Sequence, residues 1–215
     1  MPLVFDTVKR DGRIAAVTSA TAPDGAREAL LAAARAELLE HGRAGISLRA
    51  VARRAGVSHA LPKYHFQDRA GMLTAIATEG FAALDTALSQ ITEQDPQRRL
   101  AALGAAYIDF GLANPALFDL MFQRDQLHPA NPELIAAQKN AIGVLIAAVS
   151  RVTPLDVSSS GAPLLALVSW ALVHGLVVLA RDGALQSVAG TADGNGADLA
   201  HQLARRFTDY VGEDL

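Results

Sequence analysis

Apolar residues along the chain recur at spacings of three and four, with almost no period-two alternation, and this pattern predicts an all-α protein. A helix starting near Asp24 places Ala26, Leu30, Ala33, Ala34 and Leu38 on one face. Gly42 suits its end, because glycine enters the left-handed conformation without steric cost. Ser47 is positioned to cap a second helix, in which Leu48, Val51, Ala52 and Ala55 share a stripe while Arg49, Arg53 and Arg54 point elsewhere. The tight break Gly56-Val57-Ser58 follows, with Ser58 as the expected cap of a short third helix ending near Phe66. That register puts Pro62 at the fourth helical position, where it removes one early hydrogen bond. Asp68 is expected to start a long fourth helix running towards Ile91.

Downstream, Asp95-Pro96, Asn114-Pro115 and Asn131-Pro132 each set a capping side chain before a proline suited to the first helical position, and so predict three further helices. Two more are expected at about 161–182 and 196–212, separated by a Gly/Asp/Asn-rich loop over 190–196. The chain therefore divides into an arm over 1–23, a small three-helix module over 24–68 and a helical-bundle body over 69–215.

Composition narrows what such a chain can do. Of its 215 residues 51% are hydrophobic, ample for a core. The absence of cysteine excludes disulfides, thiolate zinc sites and a cysteine nucleophile. With no signal-peptide pattern in MPLVFDTVKRDGR, a cytoplasmic location is expected. Residues 162–180 carry no formal charge and are long enough to span a bilayer, but a helix apolar all round also suits a core or a subunit interface. The presence of Pro163, Ser169 and His174 favours the buried helix and argues against a membrane partner.

Net charge is −3, yet its distribution is uneven: residues 27–69 hold eight Lys/Arg against four acids, while 70–215 hold eight against fifteen. A basic module on an acidic body is an electrostatic footprint for nucleic acid. Two short helices joined by a glycine turn, with Ala52 and Gly56 four apart at the crossing, match the helix-turn-helix, whose second helix enters the major groove. Arg49 and Arg53 on the supporting helix are placed to reach phosphates, and His59, Ala60 and Lys63 lie on the exposed side of the reading helix.

The segment ISLRAVARRAGVSHALPKYHFQDRAGML resembles the DNA-binding signature of the TetR family. His65-Phe66 matches the family's aromatic-rich end of the reading helix, and Arg69 matches the basic residue that follows. The resemblance implies a DNA-facing set of Ser47, Arg49, Ser58, His59, Ala60, Lys63, Tyr64, His65 and Arg69. The sequence departs from the family pattern at Pro62, usually apolar, and at Lys63, usually tyrosine. Tyr64 faces about 100° away on a helix, so Lys63 takes the phosphate role, and Tyr64 with Phe66 also reads as the seam to helix four.

Trp170, His174 and Gly175, with the segment YIDFGLANPALFDLMFQ over 107–123, resemble a TetR subgroup with a C-terminal Trp-His-Gly domain. That resemblance implies a bundle whose last two helices pair across a twofold axis and whose middle helices enclose an effector pocket. Tyr107, Phe110, Phe118, Met121, Phe122, Trp170 and His174 are the candidate lining, although as residue types they read equally as core. Leu165, Trp170, Val173, Val177, Leu203, Phe207 and Tyr210 supply a candidate homodimer seam.

The expected function is a repressor that leaves its double-stranded operator when a small molecule binds, with no cofactor and no metal. An effector-independent DNA-binding dimer or an activator is the alternative. A small helical enzyme is the weakest reading, since the chain has no nucleophile elbow, phosphate loop or His-Glu-x-x-His motif and its histidines fall on different elements.

Overall fold

The computed structural model describes residues 23–152, 161–190 and 195–213, and within them ten α-helices and no strands. Residues 1–22 of the expected arm therefore lie outside the described residues, as do 191–194 of the expected loop, while Pro23 already belongs to the first helix. Helices α1 (Pro23–Gly45), α2 (Leu48–Arg54) and α3 (Ala60–Phe66) form the N-terminal module. Helix α4 (Arg69–Ser89) leaves it and enters the body made by α5 (Pro96–Ala113), α6 (Pro115–Met121), α7 (Pro132–Val152), α8 (Gly161–Arg181), α9 (Ala184–Ala189) and α10 (Gly196–Glu213).

Local chemistry explains most boundaries. Regular α1 breaks at Gly42, whose φ of 62° is left-handed. Ser47 caps α2, its Oγ accepting from the Ala50 amide at 3.2 Å. Asp68, Asp95 and Asn131 cap α4, α5 and α7 by accepting from the amides of Gly71, Arg98 and Leu134. Two expected caps differ. Ser58 contributes only its backbone carbonyl, to the Leu61 amide, because α3 begins one residue later than expected, after His59. Pro62 is consequently the third helical residue, where its missing N–H had no intrahelical partner to lose, and its ring is buried. Asn114 donates its side-chain amide back to the Phe110 carbonyl, closing α5 rather than capping α6, and the two helices meet at 108°.

The core runs continuously from Leu30, Leu38 and Val51 in the module through Met72, Leu73 and Ile76 on α4 to Ile108, Phe118 and Leu134 in the body. Helix α4 packs most extensively on α7, and also touches α1, α3, α5 and α6. Helix α8 seats on α5 at two glycines: a Cβ at Gly111 would stand 2.6 Å from Val177 Cγ1, and one at Gly104 would stand 3.5 Å from Val173. Pro132–Val152 and Leu164–Arg181 are long and apolar enough to cross a membrane.

Candidate functional site

The basic module holds eight cations, and their environments differ sharply. Arg35 spans from α1 to Glu79 on α4 at 2.6 Å and to Glu28 at 3.0 Å. Arg54 joins Glu37 at 2.6 Å and Glu40 at 2.8 Å, tying α2 to α1 around a nearly buried carboxylate. Arg69 donates from Nε to the Ile46 carbonyl at 3.0 Å and from Nη2 to the Arg43 carbonyl at 2.5 Å. This corrects the DNA-facing reading of Arg69: its guanidinium clamps the α1–α2 connection onto the start of α4. Arg27 lies over the Phe66 ring at 5.7 Å.

The remaining cations on α2 and α3, Arg49, Arg53 and Lys63, are exposed, and they share the α2–α3 surface with Ser47, Ser58, His59 and Ala60. Gly56, at φ 67°, makes the turn between the helices, and the Val57 amide closes it by donating to the Ala52 carbonyl at 3.0 Å. On α3 the exposed positions are Ala60, Lys63, Tyr64 and, just past its end, Gln67, one helical stripe. Tyr64 is 81% exposed and so is not the seam to α4. Phe66 alone fills that role, being 5% exposed. Residues at i+3 and i+4 flank one stripe, so Lys63 and Tyr64 both face outwards. His65 is half-buried beside them, edge-on to Tyr64.

In the body, a cavity of about 40 Å³ is bounded by Leu88 of α4, Leu100, Leu103, Gly104 and Tyr107 of α5, Leu145 of α7, Ser169, Trp170 and Val173 of α8, and Phe207 of α10. Of the seven expected pocket residues, Tyr107 and Trp170 are in this wall. Phe118 and Met121 are core, each 1% exposed, and His174 and Phe122 complete an aromatic cluster with Phe118 just behind the wall. Phe110 is half-buried elsewhere on α5. Leu88, Leu100, Leu103 and Leu145 were missed because their helical spacing is the ordinary core pattern, with nothing to separate a lining leucine from a packed one.

The Trp170 indole Nε1–H donates to Tyr107 Oη at 3.0 Å, and Tyr107 Oη lies 3.0 Å from His174 Nδ1. Burial pushes the Tyr107 phenol well above its ordinary range, so it keeps its proton and donates to Nδ1. Burial also holds the His174 ring below its ordinary 6.5, so the ring stays neutral and accepts. The consequence for stability has a definite sign. Protonation of His174 favours the unfolded chain, so the stability that depends on the neutral ring is complete above about pH 6.5 and declines as pH falls towards the lowered folded value. His174→Phe is expected to flatten the fall in unfolding free energy between about pH 7 and 5.5. A denaturant series that gives both proteins the same slope there would contradict this.

The expected seam on α8 also needs correction. Val177 is fully buried on Gly111, Val173 faces Gly104, and Trp170 is inside the body, while Leu165 is half-buried. The outward side of α8 instead shows Leu164, Leu167, Val168, Val178 and Leu179, each at least 38% exposed. On α10, Leu203 and Tyr210 are exposed, at 40% and 66%, whereas Phe207 turns inwards to the cavity. Among the described residues no three His, Asp or Glu side chains are grouped to hold a metal ion.

Comparisons with known proteins agree with this layout. Residues 30–76 match the family profile of bacterial regulatory proteins of the tetR family, and residues 100–207 match that of the tetracyclin repressor-like C-terminal domain. Among solved structures, a protein of unknown function from Rhodococcus sp. RHA1 is 32% identical, with a TM-score of 0.74 over 87% of this chain and 96% of its own. The TetR family transcriptional regulator PfmR from Thermus thermophilus shares the fold at 20% identity and a TM-score of 0.61, over 86% of this chain and 98% of its own. The fatty acid degradation regulator FadR from Bacillus halodurans does so at 14% and 0.60, over 88% and 96%. No curated protein matches the sequence. An exposed cationic helix-turn-helix built on a buried α1–α4 scaffold, followed by a bundle matching the repressor-like domain over half the chain, makes this protein a member of the TetR family of DNA-binding transcriptional regulators.

Proposed function

We propose that the protein is an effector-gated repressor that works as a homodimer in the cytoplasm, within the Trp-His-Gly subgroup of its family. One observation carries the gating. Leu88 near the end of α4 is part of the cavity wall, while Gly71 in its first turn abuts the last residue of α3. A single helix therefore runs from the cavity to the reading helix, over about 25 Å at 1.5 Å per residue. An effector that pushes on Leu88 tilts α4 and re-aims α3. In a dimer, two reading helices must meet successive major grooves about 34–36 Å apart, so a small tilt in each subunit spoils the pair.

Arg49, Arg53, Lys63 and Tyr64 form the proposed phosphate-contacting face, with Ser47, Ser58, His59, Ala60 and His65 around them. Arg49→Gln and Lys63→Gln are each expected to flatten the slope of log affinity against log salt by about one unit. Arg54→Ala should behave differently. It leaves the nearly buried Glu37 carboxylate without its closest cation, so it should lower the melting temperature and leave the salt slope as it was. Salt titrations of DNA binding, with thermal unfolding alongside, separate the two classes, and a changed slope for Arg54→Ala would move that residue into the interface.

The outward apolar stripe of α8, with Leu203 and Tyr210 of α10, supports pairing with a second copy rather than insertion in a bilayer. The opposite side of the same helix is fixed to α5, and Arg181 at its end is held in a bidentate pair with Asp119. The gating itself is tested by titrating operator and effector together, with DNA from upstream of the protein's own gene. Coupling is reciprocal, so an effector that weakens operator binding by some factor is itself weakened by operator by the same factor, typically about 5–150-fold. Operator binding indifferent to every ligand that occupies the cavity would leave an effector-independent regulator.

A further inference from the structure

Five hydroxyls in the described helices satisfy themselves on their own backbone. Thr74, Thr78, Thr86, Ser150 and Thr208 each donate to the carbonyl four residues earlier, at 2.7 to 2.9 Å. Ser169, in the middle of α8, does not. It is only 5% exposed, and its Oγ reaches no hydrogen-bond partner. It lines the cavity in the body, where the surrounding surface is Leu88, Leu100, Leu103, Val173 and Phe207. Thr208 shows that an equally buried helical hydroxyl on α10 satisfies itself at 2.7 Å. An orphaned buried hydroxyl costs free energy that a serine in a helix avoids easily, and a guest oxygen seated against this wall would supply the missing partner.

We infer that the cavity takes a small, uncharged, mainly hydrocarbon molecule with one hydrogen-bonding oxygen, such as a short alcohol or ketone, and that Ser169 Oγ is the group that recognises that oxygen. This rests on the effector-gated reading above and gives the effector its chemical class. No residue of the wall is charged, so a carboxylate or ammonium group would be desolvated without a counter-ion. The other polar groups are already committed: the Trp170 N–H is spent on Tyr107, and the Tyr107 O–H on His174. The volume of about 40 Å³ is more than one water requires and far below a drug-sized pocket, which limits the guest to a short chain unless the walls give way.

Trp170 is the single tryptophan of the chain and lines the cavity, so its fluorescence reports occupancy directly. The probes are short n-alkan-1-ols, the alkanoates of matched length at neutral pH, and the matched 1-chloroalkanes, titrated into the full-length protein and into Ser169→Ala. Wild type is expected to bind alcohols about tenfold more tightly than chloroalkanes and to reject alkanoates. In Ser169→Ala the alcohols should lose that tenfold advantage while chloroalkane affinity stays unchanged. The variant should melt no lower than wild type, because the orphan is gone. No binding of any probe, alkanoate binding equal to that of alcohols, or an alcohol preference that survives in Ser169→Ala would each overturn the inference. The gating reading fails separately: alcohols that bind through Ser169 yet leave operator affinity unchanged uphold the ligand class and remove the repressor mechanism.

Discussion

Replacing Gly71 by alanine is expected to abolish specific DNA recognition while leaving a folded protein. A Cβ at this position would lie 2.1 Å from the Phe66 carbonyl oxygen and 3.2 Å from its carbon, against an ordinary contact no closer than 3.0 Å. The obstacle is backbone, so no side chain can rotate away. The segment between is also fixed: the Asp68 amide donates to that same Phe66 oxygen at 2.8 Å, the Gly71 amide donates to Asp68 Oδ1 at 2.7 Å, and Gln67 sits at φ 68°. Relief requires the end of α3 to move about 1 Å relative to α4, given the 2.1 Å approach. That shift falls on the reading helix itself. Base-edge contacts tolerate little displacement while phosphate contacts tolerate more, so affinity should drop towards the non-specific level, on the order of 10³-fold or more, with the salt dependence retained. The overpacking should also cost about 1–3 kcal/mol of stability. Gly80→Ala is the control. Its Cβ would meet Met121 Sδ at 2.8 Å, Met121 Cγ at 2.9 Å and Leu117 Cδ1 at 3.0 Å, all side-chain atoms, so it should cost stability within the same range of about 1–3 kcal/mol and keep the operator. Fluorescence anisotropy with operator and scrambled DNA, at several salt concentrations, reads the difference. Wild-type operator affinity in Gly71→Ala would show that the α3–α4 junction does not set the reading helix.

The contrast between these glycines shows what sequence could and could not supply. Caps were legible where a side chain and its acceptor amide lie within one turn, as for Ser47, Asp68, Asp95 and Asn131. Ser58 failed because His59 is already in αR geometry without being counted as helix, which shifts the cap position by one residue. Helix α9 was missed because six residues bracketed by left-handed Gly183 and Gly190 carry punctuation but no period. Cation counting marked the basic module, but nothing along the chain showed that Arg54 is tied to α1, because Glu37 and Glu40 lie on a different helix from the arginine they bind. Helix α8 was the largest difficulty. It has no charge before Arg181 and carries apolar residues on every side, so periodicity does not say which side is buried against what. Ser169 offered no signal, since an orphaned hydroxyl is defined only by what fails to surround it.

Disruption of the proposed dimer seam on the outward side of α8 is expected to give folded monomers that have lost tight operator binding. Within the protomer, Leu164, Leu167 and Val168 are 63%, 50% and 48% exposed, and Val178 and Leu179 continue the stripe. Gly175 lies on that side, and a Cβ there would meet nothing within 4 Å. The protomer therefore gives no packing reason for a glycine in mid-helix, where it costs about 1 kcal/mol relative to alanine. Close approach of a partner helix in the proposed dimer would supply one. Gly175→Leu adds bulk that the protomer can hold and the crossing cannot, and Val168→Asp places a charge in the apolar centre of the seam, which is costly only when a partner covers it. Both should leave the cooperative unfolding of the protomer intact and shift sedimentation to the monomer. Operator affinity then falls because the second half-site loses its effective concentration, an advantage of about 10²-fold or more for two linked contacts. Trp170→Asp should behave differently. It buries a carboxylate beside Tyr107 and the cavity, so the protein should unfold or aggregate rather than dissociate cleanly. Intact dimers for both Gly175→Leu and Val168→Asp would move the twofold axis away from this side of α8. Clean monomers from Trp170→Asp with an unchanged melting curve would return it to the inward side.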